Sequence, residues 1–230
     1  MAWYDGCLII FLSFGLGCIL NIISTQLPQF LLGLPLLGRH ELHPYEKIFP
    51  FVFTACCLFW FWHFGFDWHA LGACIFTAFL GPLFLIDLKY LILPDQLTFP
   101  LLWIGLLFNL HGVFSNIDSA IIGVIAGYLT LFFIYHIFLW LSGKQGLGHG
   151  DFKLLAALLA WTGVEFLGWI LLLAGILTLG VFGLKKIFQE NFNPQIPFGP
   201  GLALAGIIIL AFGNNLNTLT ILISTALFGG

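Results

Sequence analysis

The apolar residues of this chain fall into long uninterrupted runs, and the polar positions collect in short stretches between them. A helix that bridges a bilayer needs roughly 17–25 mostly apolar residues. Runs of that kind lie at about 7–27, 48–66, 69–88, 98–114 and 118–141. After Asp151 the apolar pattern continues to about residue 184. As one helix rising about 1.5 Å per residue this would be too long for a bilayer, and WTGVE at 161–165 offers a break, so two short spans are expected. A last pair is expected near 198–213 and 216–229. The pattern therefore predicts an all-α polytopic membrane protein with eight or nine passes, about eight of them full transmembrane helices, and one integral-membrane domain over residues 1–230.

Composition points the same way. The chain is 60% hydrophobic and 7% charged, with 27 Phe, whereas soluble domains are about 25% charged. Its mean hydropathy is +1.07. The net charge of −3 is small and there is no basic run, which argues against a nucleic-acid partner. Cys7, Cys18, Cys56, Cys57 and Cys74 all sit inside apolar runs and form no C-x-x-C pair, so they read as packing residues. The opening MAWYDGCLIIFLSFG lacks a basic n-region and reads as a retained span, not a cleaved signal.

Charge orients the layout. Arg39, Lys47, Lys89, Lys144, Lys153, Lys185 and Lys186 all fall in or beside loops on one side. The opposite loops carry Asp67, Asp118 and Glu165 and no Lys or Arg. The positive-inside rule then predicts cytoplasmic basic loops and a periplasmic N-terminus. The longest cytoplasmic connection is expected at 28–47, followed by 185–197. The eight Trp mostly lie near expected span ends, as an interfacial belt would.

Carboxylates at a membrane rim are costly and are functional candidates by default. Asp87 ends the third run and Asp151 begins the sixth, in GLGHGDFKLL, both at the expected cytoplasmic face. Two close carboxylates cannot both ionise cheaply and hold one proton between them. The ionised one activates water; the protonated one polarises a carbonyl and then protonates a leaving amine. That is peptide hydrolysis without a metal. Gly148 and Gly150 allow backbone angles closed to other residues and close approach of a substrate backbone. Structural readings stand beside these. Asp151 or Asp95 would serve as helix N-caps, and Asp87 would form an ion pair with Lys89 or Lys153. His149 reads as a solvated loop residue, and His63 and His136 as hydrogen-bonded packing residues. His40 and His43 flank Glu41, but H-E-L-H is not the helical H-E-x-x-H arrangement, so no metal site is expected.

At these residues the chain resembles the bacterial type IV prepilin peptidases, GxGD-type aspartic proteases of the inner membrane. Their pattern I-D-x-x-x-x-x-L-P-D-x-L-T-x-P reads IDLKYLILPDQLTFP from Ile86 to Pro100. G-x-G-D-x-K-L-x-A reads GHGDFKLLA from Gly148 to Ala156, with Lys153 in the lysine position. P-F-G-P is present as Pro197, Phe198, Gly199 and Pro200. LNIISTQLP at 20–28 is similar to the first-span ending of the family, with Gln26 where arginine is usual. The resemblance implies Asp87 and Asp151 as the catalytic dyad and PFGP as support for the substrate groove. It implies cleavage of prepilins or pseudopilins on the cytoplasmic side, after the glycine between a short basic leader and a hydrophobic helix. Glu41, Glu46 and Asp95 are candidates to attract that leader. Many members also N-methylate the new N-terminus with S-adenosylmethionine and carry a zinc site of two C-x-x-C pairs after the first span. Here 28–47 stands in place of that region and holds no cysteine. No zinc is expected, proteolysis needs no cofactor, and S-adenosylmethionine would matter only if methyl transfer is retained. The competing classes are a general GxGD intramembrane protease, a proton- or cation-coupled transporter and a non-catalytic assembly factor. LPDQLT and PFGP argue against the first of these, and acidic motif residues at one face only argue against the second.

Overall fold

A computed structural model of the chain describes residues 3–33, 44–143, 146, 148–188 and 197–228. Among them are eight α-helices: α1 (Trp3–Leu31), α2 (Pro44–Phe64), α3 (Trp68–Tyr90), α4 (Asp95–Leu110), α5 (Ile117–Ser142), α6 (His149–Thr162), α7 (Leu167–Phe188) and α8 (Gly199–Phe228). Four of these are long and apolar enough to cross a membrane: α1, α2, α3 and α5. The expected loop at 28–47 is narrower than predicted, because α1 runs to Leu31 and α2 begins at Pro44. Residues 34–43, with Arg39, His40, Glu41 and His43, lie outside the described residues, as do Lys144 and most of the second expected loop.

The break expected at 161–165 is present. Helix α6 stops at Thr162, Gly163 adopts φ +91°, and one 3-10 turn at Val164–Phe166 leads into α7. Polar groups hold this corner: Ser119 Oγ accepts from Val164 N at 3.0 Å and donates to Glu165 Oε2 at 2.6 Å. The expected last pair of spans is corrected. The backbone of α8 runs unbroken through residues 213–216, where a turn was expected. Gly213, Asn214 and Asn215 lower helix propensity by at most about 1 kcal/mol each, against about 3 for Pro, and no Pro stands there to end the ladder.

Helix α6 is the centre of the molecule and packs against α5, α4 and α8. From Asp151 to Thr162 every residue except Lys153 is buried. Fourteen residues rise only about 21 Å, short of the hydrocarbon thickness of about 30 Å. A sheathed helix need not span that layer, since its flanks meet protein and not lipid. Glycines on the neighbours permit the close packing: a Cβ at Gly105 would lie 2.5 Å from Trp161 and one at Gly206 2.6 Å from Leu158. Dispersion at such small-residue contacts is what holds helices together where hydrocarbon surrounds both partners.

Trp60 and Trp161 are not interfacial, contrary to the belt expectation. Both are fully buried, with Nε1 donating to Thr77 Oγ1 and to Leu101 O. Trp62, Trp68, Trp103 and Trp140 are exposed, as an interfacial position requires.

The end of α6 away from Asp151 is tied down by Asn109. Its Nδ2 donates to Ala160 O at 2.8 Å and Trp161 O at 2.9 Å, two carbonyls that the helix C-terminus leaves unpaired. Its Oδ1 accepts from Phe114 N and Ser115 N, both at 3.0 Å. Leaving a buried polar group without a partner costs about 1–3 kcal/mol. Asn109→Ala is therefore expected to destabilise the protein by about 2–4 kcal/mol, read from denaturant unfolding in mixed micelles; a loss under about 0.5 kcal/mol would contradict this role.

Candidate active site

Asp87 lies in the last turn of α3. Leu91, in the left-handed conformation at φ 56°, caps the helix by donating its N–H to Asp87 O at 3.1 Å, and residues 91–94 turn the chain into α4. The Asp87 side chain is 5% exposed, and its Oδ2 accepts from Gly199 N, the first residue of α8, at 3.0 Å. Asp151 is 7% exposed and occupies the third helical position of α6. Its Oδ2 accepts from Gly148 N at 3.1 Å, while its own N–H donates to Gly148 O at 3.2 Å. Each carboxylate is thus met by a backbone N–H at the start of a helix, where partial positive charge accumulates. Asp151 opens α6 at the end of the bundle where Asp87 closes α3, since the neighbouring Gly150 meets Leu93 in the turn after α3.

Three structural readings of these acids are corrected. Asp151 is not the N-cap; Gly148 holds that position and Asp151 folds back onto it. Asp95 is not an N-cap either, because Pro94 precedes it as the cap and Asp95 is the first residue of α4. Asp87 pairs with neither lysine. Lys89 Nζ instead meets Glu46 Oε1 at 3.1 Å, and Lys153 Nζ reaches both carboxylate oxygens of Asp95 at 2.7 and 2.8 Å. The helical repeat explains the switch, since Lys89 stands two residues after Asp87, and Lys153 two after Asp151, on nearly opposite faces of their helices. Among the described residues, neither Asp87 nor Asp151 has a basic partner at ion-pair distance. Glu46 is buried beneath Lys89 and does not present an open acidic surface.

The glycines act by space, not by unusual backbone angles. Gly148 has φ −81°, and Gly150 is not among the positive-φ residues. A Cβ at Gly150 would lie 2.7 Å from Leu93 Cβ, so its absence lets the first turn of α6 close on the α3–α4 turn. In PFGP, Pro197, Gly199 and Pro200 are buried and Phe198 packs against the main core. Pro200 fits the first turn of α8, where a missing N–H costs no helical hydrogen bond. A Cβ at Gly199 would stand 2.7 Å from Asp87 Oδ2. PFGP therefore touches a candidate catalytic carboxylate directly, beyond the groove-shaping role expected of it.

His149 is exposed and sets its ring against Tyr135 and Phe152, not against Asp151. His63 and His136 are hydrogen-bonded to Ala211 O and Phe132 O. Among the described residues no three His, Cys, Asp or Glu side chains converge as a metal-ligand set. The sequence reading missed the Gly199–Asp87 bond, the Lys89–Glu46 pair and the buried Asn21, whose Nδ2 donates to Glu46 O at 2.9 Å. Only the Pro after Gly199, a helix-start signal, hinted at the first.

Residues 74–184 match the type IV leader peptidase family. A relative from Stutzerimonas stutzeri, named prepilin leader peptidase/N-methyltransferase, is 41% identical over 176 residues, covering 74% of this chain and 61% of that protein. A protein of the same name from Aeromonas hydrophila is 49% identical over 152 residues, covering 65% of this chain and 52% of the relative. One from Pseudomonas aeruginosa is 42% identical over 175 residues, covering 74% and 60%. The chain thus spans between 52% and 61% of the length of these relatives. No solved structure matches the chain.

Proposed function

We propose, from the match of residues 74–184 to the type IV leader peptidase family, that this chain is a membrane aspartic endopeptidase. It removes the short basic leader from type IV prepilins or pseudopilins, cutting after the glycine that precedes their hydrophobic helix. The observation that carries this is the like setting of Asp87 and Asp151, two buried carboxylates, each with one oxygen fixed by a helix-start N–H and neither with a cation at ion-pair distance among the described residues.

The chemistry follows from that environment. With Oδ2 of each acid held by a backbone donor, the rest of each carboxyl group is available to the reacting atoms. The pair shares one proton. The ionised partner takes a proton from water as it adds to the scissile carbonyl. The protonated partner hydrogen-bonds the carbonyl oxygen as negative charge grows there, then passes its proton to the leaving amine. Burial keeps bulk water from screening these interactions. The proteolytic step uses this chain's own residues and no cofactor. N-methylation would require S-adenosylmethionine and is a separate reaction that the dyad does not supply. The enzyme sits in the bacterial inner membrane, its N-terminus periplasmic and its dyad toward the cytoplasm, which puts Lys89 and Lys153 on the inside in accord with the positive-inside rule.

Asp95 and Lys153 bridge α4 to α6 beside the dyad as a half-exposed pair. Pairs of that exposure contribute roughly 0–1 kcal/mol. Asp95→Asn is expected to slow leader removal by less than about tenfold, measured as initial rate; loss equal to that of a dyad variant would assign Asp95 a direct part in the chemistry.

The function is tested by expressing the chain in a bacterium deleted for its own prepilin peptidase and following prepilin size by immunoblot. Leader removal by the wild type is expected. Unprocessed prepilin, in cells whose membranes contain the folded protein, would overturn the proposal.

A further inference from the structure

Outside the dyad, the described residues form a groove between α2 and α8 with α3 as its floor, about 280 Å³ in volume and lined almost wholly by apolar groups. Phe49 and Phe53 on α2, Leu80 and Leu85 on α3, and Ala203 on α8 are buried in it. Ile48, Val52 and Leu204 are its exposed rims.

Two rows of its lining, extended by one helical turn, lead to Asp87, which lies outside the lining itself. On α3, Leu80, Phe84 and Asp87 are spaced four and three residues apart and share one helix face. On α8, Gly199, Ala203 and Ile207 are spaced four apart and share another. The first row ends at the Asp87 carboxylate and the second starts at the N–H that binds it. From Asp87 back to Leu80 is seven residues, about 10 Å or two helical turns. An apolar groove of that length, with exposed rims and stopping one helical turn short of Asp87, is shaped for a helix whose first residues follow the cleaved bond.

We infer that this groove between α2, α3 and α8 seats the first two turns of the substrate's hydrophobic helix, so that apolar contact there sets the scissile bond against Asp87. The inference rests on the peptidase proposal and deepens it. The occupant is fixed by continuity: the substrate proposed above turns apolar immediately after the scissile glycine, and the groove turns apolar within one helical turn of Asp87. A leader bearing Lys and Arg would not enter an apolar groove, so the leader leaves on the other side of the dyad.

The test uses the full-length protein in nanodiscs, with a photo-cross-linking p-benzoylphenylalanine at Val52, at Leu204 or, as a control, at Ile125 on α5. Ile125 is a comparably exposed residue that lines no part of the groove. Each is combined with Asp151→Asn so that prepilin stays uncut, and cleavage by the wild type is measured on the same prepilin. Cross-links from Val52 and Leu204 to the first two turns of the prepilin helix, and none from Ile125, are expected. Cross-links from the groove positions only to lipid, only to a second copy of the chain, or not at all would overturn the inference while wild-type cleavage still stands. If the wild type fails to cut a prepilin that another peptidase cuts, the peptidase proposal falls, and this inference with it. A kinetic readout is independent of the cross-linker: Val52→Trp with Leu204→Trp should raise KM for prepilin about tenfold with a smaller change in kcat, whereas Ile125→Trp should change neither. An unchanged KM in the double variant would also overturn the groove.

Discussion

Asp151→Asn is expected to lower the rate of leader cleavage by at least about 10²–10⁴-fold while leaving the protein folded and inserted. The amide has the shape of the carboxylate, and its oxygen still accepts from Gly148 N, so the start of α6 has no reason to move. It can neither take a proton from water at catalytic pH nor give one to the leaving amine. Asp87→Asn should do the same, since its amide still accepts from Gly199 N. If the two acids act as the one proton-sharing unit proposed, the double variant should be scarcely slower than either single one. The amide is neutral and nearly isosteric, so the substitution places no new charge in the buried site, and lost activity could not be attributed to lost stability. Equal thermal unfolding of wild type and variants, beside a collapsed kcat, is the signature to look for. Near-normal cleavage by Asp87→Asn would remove Asp87 from the dyad.

Gly199→Ala should come second in size. The added methyl carbon would sit 2.7 Å from Asp87 Oδ2 and 3.0 Å from its Cγ. Carbon and oxygen do not approach that closely, so the side chain must swing away, and the bond from Gly199 N lengthens with it. Misplacing a catalytic group by about 1 Å can cost about 10²-fold in rate, and a fall of about that size in kcat is expected. Stability should change little, because the group that gives way is the end of a side chain and not the core. Gly148→Ala makes the internal comparison: its Cβ would stand 3.3 Å from Asp151 Oδ2, which a slight shift relieves, so its effect should be clearly smaller. Equal, near-wild-type rates for both variants would show that PFGP does not position Asp87.

The parts of this architecture that were legible in the sequence are those fixed by local pattern. Long apolar runs marked the helices, and WTGVE marked the corner at Gly163, because a break in apolar character coincided with a glycine that reaches positive φ. Asp87 and Asp151 stood out as candidates because carboxylates at a membrane rim need a reason. Failures came where tertiary contact decides. The continuous α8 could not be told from two short spans, since weak helix formers at 213–215 neither force nor forbid a turn. Lys89 and Lys153 stood near Asp87 or Asp151 in sequence, but helical rotation sent them to Glu46 and Asp95. Asn109 carried no signal as one polar residue in an apolar run, although four hydrogen bonds converge on it. Gly199 lies 112 residues from Asp87, a contact no local pattern could announce.

The most direct measurement of the central claim is mass spectrometry of a purified prepilin incubated with the purified protein, wild type and Asp151→Asn, with S-adenosylmethionine present. The dyad account predicts loss of the leader after its terminal glycine with the wild type only; a further methyl mass on the product would add methyl transfer to its chemistry. Intact prepilin with both proteins, in folded preparations and with a prepilin that another peptidase cuts, would contradict the account, as would equal cleavage by wild type and Asp151→Asn.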